Sequence, residues 1–259
     1  FINQKTAISL ISPQTLLVVV DTHRANYTVM PEILQYSNKI VVIDHHRKAV
    51  DFINNASLFF HEPSASSTCE MVTELLQYMD DGKITQLEAE SLLSGIFLDT
   101  KNYTIRTSTN TFEASSYLKK VGANTVNVKL FFQTDMKTYM NKVSLVSNAE
   151  IYKKAIAIAA WEDESMGNHK IAGSQAADEL LNIEEVTASF TLFKDMNGCI
   201  NISARSFGSV NVQLIMEKLE GGGHQTMAGT QLKNITLGEA KQRLISAIDT
   251  YLAENNINL

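Results

Sequence analysis

The sequence predicts an α/β protein in which a parallel-sheet domain is joined by a helical linker to a smaller mixed α/β domain. Three observations predict it. In the first half, three apolar runs of strand length, each ending on Asp, alternate with helix-patterned segments. In the second half the pattern changes to a hairpin signal at Asn197-Gly198 followed by two helices. Between the halves lies a polar-rich stretch with Val128, Phe131, Phe132, Tyr139 and Val143 at helical spacing. The expected boundaries are 1–124, 125–149 for the linker, and 150–259.

The elements follow in order. "TLLVVVD", Thr15 to Asp21, is a continuous apolar run, as expected of a parallel strand covered on both faces. "PEILQYSN" starts with Pro31 at a first helical position, and "KIVVID" supplies a second strand. Ser67 stands three residues before Glu70, a capping box for a helix whose buried face is Met71, Val72, Leu75, Leu76 and Met79. "LEAESLLSG" predicts another helix and "GIFLDT" a third strand. Asn110 and Glu113 predict the next helix start, with Gly122 as its stop. Beyond the linker, "YKKAIAIAAW" predicts a strand and "SQAADELLNIEEV" a helix. "TASFTLFKDMNGCINISARSF" predicts a hairpin with a type I′ turn. "VNVQLIMEKLE" and Thr236 to Glu254 predict helices, the second opened by a box from Thr236 to Glu239. "GGGHQTMAG" between them predicts a loop. No internal repeat or low-complexity tract interrupts the chain.

Composition narrows the function classes. With 259 residues, 44% hydrophobic and 19% charged, the chain is that of a globular protein. The longest apolar runs fall far short of the roughly 18 residues of a membrane span, and no signal peptide is visible. No membrane contact is therefore expected from this segment. The first residue is Phe1 rather than Met, which reads as a segment of a longer protein. Cys69 and Cys199 lie far apart with no CxxC, so they read as reduced core thiols, fitting a cytoplasmic setting. Net charge is −6, from 22 basic and 28 acidic residues, which weighs against long nucleic acids. A small phosphate compound, held through a local site or a metal ion, remains compatible.

The three acid-terminated runs point to such a site. Parallel strands bring their carboxyl ends together, where open α/β sheets bind ligands. Asp21, Asp44, His45, His46 and Asp99 are thus expected on one rim. Clustered carboxylates repel unless a cation neutralises them. Oxygen plus imidazole donors suit Mn²⁺ and, less exclusively, Mg²⁺, Zn²⁺ or Fe²⁺. An Asp after a strand also serves as the N-cap of the next helix, which is the competing reading for any one of them. Neighbouring His residues on an extended backbone face opposite sides. One of the pair is then a metal ligand, and the other orients a carboxylate or touches substrate. In the second half, Arg205 lies on the polar face of "CINISARSF" and offers a fork to a phosphate, or is an exposed strand Arg. "GGGH" offers backbone N–H groups and His224 to an anion, or is a flexible loop. His23 is ambiguous, and His61 and His169 read as ordinary loop or surface residues.

Together "VVVDTHR", "VVIDHH", "LDTKNYTIRT", "ISARS" and "GGGH" resemble the DHH/DHHA1 phosphoesterases over nearly the whole chain. With "EPSASST" and "SVNVQLIMEKLEGGGH", the detail is most similar to the GdpP-type cyclic-di-AMP phosphodiesterases. The resemblance implies a metal-dependent hydrolase of second-messenger signalling that opens cyclic-di-AMP to linear pApA. An oligoribonuclease or pAp phosphatase acting on short linear nucleotides, or a nucleotide-binding fragment without turnover, are the alternatives. It implies Asp21 bridging two Mn²⁺ ions (Mg²⁺ or another divalent cation serving instead), with His45 and Asp99 as further ligands. Asp44 and His46 would stand behind the ligands or touch substrate, His46 being the guess for the leaving-group acid. Arg205, Gly222, Gly223 and His224 would hold the other phosphate or base, and Ser66 and Ser67 would lie near the cleft. The family's upstream His-x-x-x-Asp-x-Asp motif has no counterpart in the sequence, which predicts weak occupancy of at least one metal position and poor turnover. Homodimers and a membrane-anchored parent protein are implied by the resemblance alone.

Overall fold

The structure, a computed structural model, describes residues 2–79, 83–161 and 169–257. The chain divides into two compact units, Phe1–Gln133 and Thr134–Leu259.

In the first unit, helix α1 (Gln4–Leu10) precedes strands β1 (Leu17–Val20), β2 (Ile40–Asp44) and β3 (Leu58–His61). They form a parallel sheet in the order β1-β2-β3, with Val20 opposite Ile43 and Asp44 opposite His61. Strand β3 was not expected, since "SLFFH" is short and carries no turn signal. Strand β1 does not have two covered faces: Leu17 and Val19 pack on Ile40 and Val42, while Val18 and Val20 are exposed. Pro31–Tyr36 winds as a 3₁₀ helix rather than an α-helix.

Helix α2 (Thr68–Leu76) starts at the Ser67 cap, whose side chain accepts from the Glu70 N–H. The reciprocal half of the expected box is missing, because the Glu70 carboxylate accepts from the N–H and hydroxyl of Ser66 instead. Of the expected apolar face, Met71 is buried while Leu75 and Met79 are exposed.

The main correction concerns "GIFLDT". Helix α3 (Gln86–Asp99) runs through it, so Asp99 ends a helix and not a strand. Ala89, Leu93 and Ile96 keep one helical face buried against Ala114 and Leu118 of helix α4 (Thr109–Lys120) and Val128 of helix α5 (Thr125–Phe131). Burial of side chains such as Leu93 and Ile96 is worth about 1.5–3 kcal/mol each, more than the roughly 1 kcal/mol a helical Gly costs. Gly95 stays helical because α3 runs against α2: a Cβ there would lie 2.2 Å from Cys69 Sγ. Helix α4 is capped by a reciprocal box of Ser108 and Thr111, one turn-fraction earlier than the expected Asn110 and Glu113.

Residues 125–149 hold two helices rather than one. Helix α5 belongs to the first unit, and helix α6 (Met136–Ser147), capped by Asp135, to the second. The second unit continues with β4 (Ala149–Tyr152), β5 (Ile156–Trp161), α7 (His169–Leu180), β6 (Ala188–Lys194) and β7 (Ile200–Ser206). Helix α8 (Val212–Glu217), β8 (Gly222–His224), β9 (Met227–Leu232) and α9 (Leu237–Glu254) complete it. The sheet order is β4-β5-β6-β7-β9-β8, with only β5 and β6 parallel. Phe190, Leu192, Ile200 and Ile202 bury one face against Leu244 and Ile248 of α9. The hairpin at Asn197-Gly198 forms without a type I′ turn. Only Gly198 carries positive φ (79°), while Asp195 accepts from the N–H groups of Asn197 and Cys199. The Asp195 side chain thus closes an Asx-type turn that outcompetes the two-residue alternative. The expected box at Thr236 and Glu239 opens α9.

Candidate metal centre

Three elements carry the site. Strand β1 delivers Asp21 just past its end, β2 delivers Asp44 and then His45 and His46, and the C-terminus of α3 delivers Asp99. Asp21 is left-handed (φ 63°), a conformation Asp tolerates better than most residues, while its N–H still donates to Ile43 O at 3.0 Å. The Thr68 hydroxyl donates to Asp21 Oδ1 at 3.0 Å. Beyond Asp44 the chain leaves the strand, so strict alternation no longer separates the two imidazoles. Their ring centroids are 4.6 Å apart.

His45 is almost fully buried, and its Nδ1 lies 3.3 Å from Ala65 O. A carbonyl oxygen only accepts, so the ring proton is on Nδ1 and Nε2 presents a lone pair. That lone pair faces Asp21 Oδ1 at 3.6 Å and Asp99 Oδ2 at 3.8 Å. The lone pair thus faces two carboxylate oxygens at separations too long for hydrogen bonds but spanned by two metal–ligand bonds of about 2.1 Å, and Asp21, His45 and His46 bring ligand atoms within 4.8 Å of one another. Burial, with the charges of His46 and Arg106, holds His45 below its usual pKa, which keeps the imidazole neutral and able to ligate. Burial, then the Asp21 charge, pushes Asp99 up to about 6. A divalent cation fits this donor set, relieving both the repulsion and the desolvation. Beneath it, burial pushes the Cys69 thiol up to about 11, so Cys69 is neutral packing.

Asp44 is fully buried and does not face the convergence point. His46 donates to its Oδ1 from Nδ1 at 2.7 Å and from its backbone N–H at 3.2 Å. His23 Nε2 accepts from the Ala49 N–H at 2.8 Å, so its Nδ1 carries the proton and donates to Asp44 Oδ2. Burial opposes ionisation of Asp44, but the bonds from His46 and His23 outweigh it and hold the carboxyl well below the usual range. The Asp44 hydrogen bond in turn holds His46 above its ordinary pKa. His61, read from sequence as an ordinary loop or surface residue, ends β3 and donates from Nε2 to His46 O at 2.6 Å. His23, Asp44 and His61 also cluster tightly, but their ring protons are committed to Asp44 and His46 O. That second group is a hydrogen-bond network that orients His46.

Comparison with known proteins fits this arrangement. Residues 2–96 match the DHH family, N-terminal domain, and residues 153–254 match the DHHA1 domain. The chain belongs to the DHH family. It is 46% identical over 252 residues to the cyclic-di-AMP phosphodiesterase PdeA of Listeria monocytogenes, covering 96% of this chain and 38% of that protein. It is 45% identical over 253 residues to the cyclic-di-AMP phosphodiesterase GdpP of Bacillus subtilis, covering 97% and 38%. The chain thus spans well under half the length of these relatives. An exopolyphosphatase-related protein from Bacteroides fragilis shares the fold, with a TM-score of 0.83 at 23% identity, covering 96% of this chain and 75% of that one.

The expected substrate residues of this DHH-family chain fare unevenly. Ser66 and Ser67 are fully buried, committed to Glu70 and to the α2 cap. Arg205 is not an exposed strand residue: it is buried, with Nε donating to Asp178 Oδ1 at 3.0 Å and a second N–H to Ala204 O. "GGGH" is not a loop. Gly222–His224 is the edge strand β8, and the glycines let it approach β9 closely. A Cβ on Gly223 (φ 146°) would lie 2.4 Å from Met227 O, and one on Gly221 2.4 Å from Gly229 O, whereas Gly222 faces open space. The side chain of His169 lies outside the described residues. Sequence reasoning missed Thr68, the role of His23, and Arg106. An acid two residues before His23 was the available hint for that residue. Among the described residues, no helix is long and apolar enough to cross a membrane.

Proposed function

We propose that this chain is a divalent-metal-dependent phosphodiesterase module that hydrolyses cyclic-di-AMP to linear pApA. The observation that carries the reading is the Nε2 lone pair of His45 facing two carboxylates at 3.6 and 3.8 Å. The identity of nearly half, over almost the whole chain, to phosphodiesterases of that substrate supports the choice of ligand.

Asp21, His45 and Asp99 hold the cation, with Mn²⁺ suited to two carboxylates and an imidazole. When bound, a divalent ion lowers the pKa of water and neutralises charge on a phosphodiester. The chain supplies the rest. Ala65 O fixes the His45 tautomer, and Thr68 orients Asp21. Asp44, itself oriented by His23, holds His46 through its Nδ1, and the His46 imidazole would be the group that passes a proton to the departing ribose oxygen. The second unit, taken by itself, offers the exposed backbone of Gly222, with Gly223 and His224, to a nucleotide. The module belongs to a larger, membrane-anchored cytoplasmic protein that works as a dimer.

The test is hydrolysis of cyclic-di-AMP by the chain with Mn²⁺ or Mg²⁺, alongside linear pApA and pAp. Production of pApA that disappears in Asp99→Asn and His45→Ala supports the reading. Cleavage confined to the linear compounds, or no cleavage of any, overturns it.

A further inference from the structure

The segment that follows Asp99 is more elaborately built than a connector requires. Lys101, Asn102 and Tyr103 are consecutively left-handed (φ 47°, 54° and 65°), and Arg106 is left-handed again at 54°. Each such non-glycine residue carries strain that persists only where surrounding contacts over-determine it, typically at functional sites. Here those contacts are explicit. Thr104 N–H and Ile105 N–H both donate to Thr100 O, at 2.8 and 2.9 Å, and Tyr103 N–H donates to the Thr100 hydroxyl at 2.9 Å. The Tyr103 ring stacks on Phe112 at 5.2 Å and meets Phe97 edge-on at 5.1 Å. The loop is thereby doubled back onto the residue next to Asp99 and fixed there.

What it presents is Arg106. This side chain is exposed and directly follows the turn that Thr104 and Ile105 make onto Thr100, the neighbour of Asp99, and its charge bears on both His45 and Asp99. Among the described residues no hydrogen bond or ion pair engages its guanidinium. Arg24 of the same unit, by contrast, is clamped to Asp51. An Arg placed beside a cation site and not spent on a carboxylate is unfavourable for the metal and unexplained by packing. A ligand carrying negative charge between the two cations resolves both points. A guanidinium offers a planar fork matched to two phosphate oxygens.

We propose that Arg106 is a phosphate-binding residue of this site, its fork taking the non-bridging oxygens of the phosphoester lying over Asp21, His45 and Asp99. The inference rests on the phosphodiesterase reading for its ligand class, but its test does not require turnover. The full chain, wild type, R106Q and R106K, is first titrated with Mn²⁺ alone by calorimetry, with thermal melts to check folding. The Mn²⁺-loaded proteins are then titrated with inorganic phosphate, and cyclic-di-AMP turnover is measured separately. The two affinities should move apart. Mn²⁺ binding by R106Q is expected to be unchanged or tighter, because a like charge has left. Phosphate binding should weaken by about tenfold or more, the worth of a charge-assisted hydrogen bond, with R106K in between because it keeps the charge but not the fork. Phosphate affinity within about twofold of wild type, no phosphate binding by wild type at tens of millimolar, or parallel loss of Mn²⁺ and phosphate affinity would each overturn the proposal. Absence of cyclic-di-AMP turnover in wild type, with the phosphate arm behaving as expected, removes the functional reading and leaves Arg106 as a phosphate ligand.

Discussion

Replacing Asp44 with Asn removes one charge from the middle of the His23–Asp44–His46 network and should destabilise the first unit substantially. The carboxylate is fully buried and accepts three N–H groups: His23 Nδ1, His46 Nδ1 and the His46 backbone. An amide has a single acceptor oxygen, and its NH₂ must then face one of the two imidazole N–H groups. One charge-assisted bond, worth about 1.5–3 kcal/mol, is lost, and the bonds that survive weaken to neutral ones, for a total of roughly 2–4 kcal/mol. For a chain of this size that is a fall of roughly 4–16 °C in melting temperature. Urea unfolding of chelator-stripped protein, followed by circular dichroism, measures it without interference from bound metal. The pH course follows from the direction of the shift. Because the folded-state pKa of Asp44 is depressed, its contribution is present above the ordinary carboxylate range and is lost as pH falls through the folded value. The gap between wild type and D44N should therefore persist through neutral pH and narrow only in strong acid. A gap below about 0.5 kcal/mol at neutral pH, the scale of an inert surface change, would refute the account of Asp44 as the network's anchor.

Four other outcomes are expected. Protons should compete with the divalent cation at Asp99, whose carboxyl is pushed up to about 6, so Mn²⁺ affinity should fall about tenfold per pH unit below that point; a flat profile across that range contradicts the ligand assignment. In the metal-free protein the same raised pKa stabilises the fold at low pH and loses that effect as pH rises through about 6, so a stability profile matching that of Asp99→Asn throughout would count against it. Gly95→Ala, whose Cβ would meet Cys69 Sγ at 2.2 Å, should cost about 1–3 kcal/mol by overpacking, and Cys69→Ala should recover much of it in a double-mutant cycle. Gly223→Ala should disrupt the β8 edge, seen as lost amide protection, whereas Gly222→Ala should leave stability within about 0.5 kcal/mol, making it the clean probe of any ligand contact at that edge.

Much of the site was legible in the sequence because acids and imidazoles at the ends of apolar runs have few purposes. Asp21, His45 and Asp99 do come together, although Asp99 arrives on a helix. "GIFLD" is too short for periodicity to separate strand from helix, and Gly95 suggested a break. Only the packing of α3 against Cys69 shows why the helix continues through it. The Gly triplet was misread for a related reason: its glycines serve a close strand approach that depends on pairing with β9, which the triplet by itself does not announce. Arg106 was invisible because nothing in "KNYTIRT" announces four left-handed residues without glycine. The Ser67 cap, the Thr236 box and the Asn197-Gly198 hairpin were readable because capping and turn chemistry act within a few residues.

The central claim is most directly tested by soaking crystals of the chain in Mn²⁺ and locating the metal by its anomalous signal. The account predicts a peak within about 2.0–2.3 Å of His45 Nε2 and of a carboxylate oxygen from each of Asp21 and Asp99. A peak lodged among His23, Asp44 and His61, or none near His45 at saturating Mn²⁺, would contradict it.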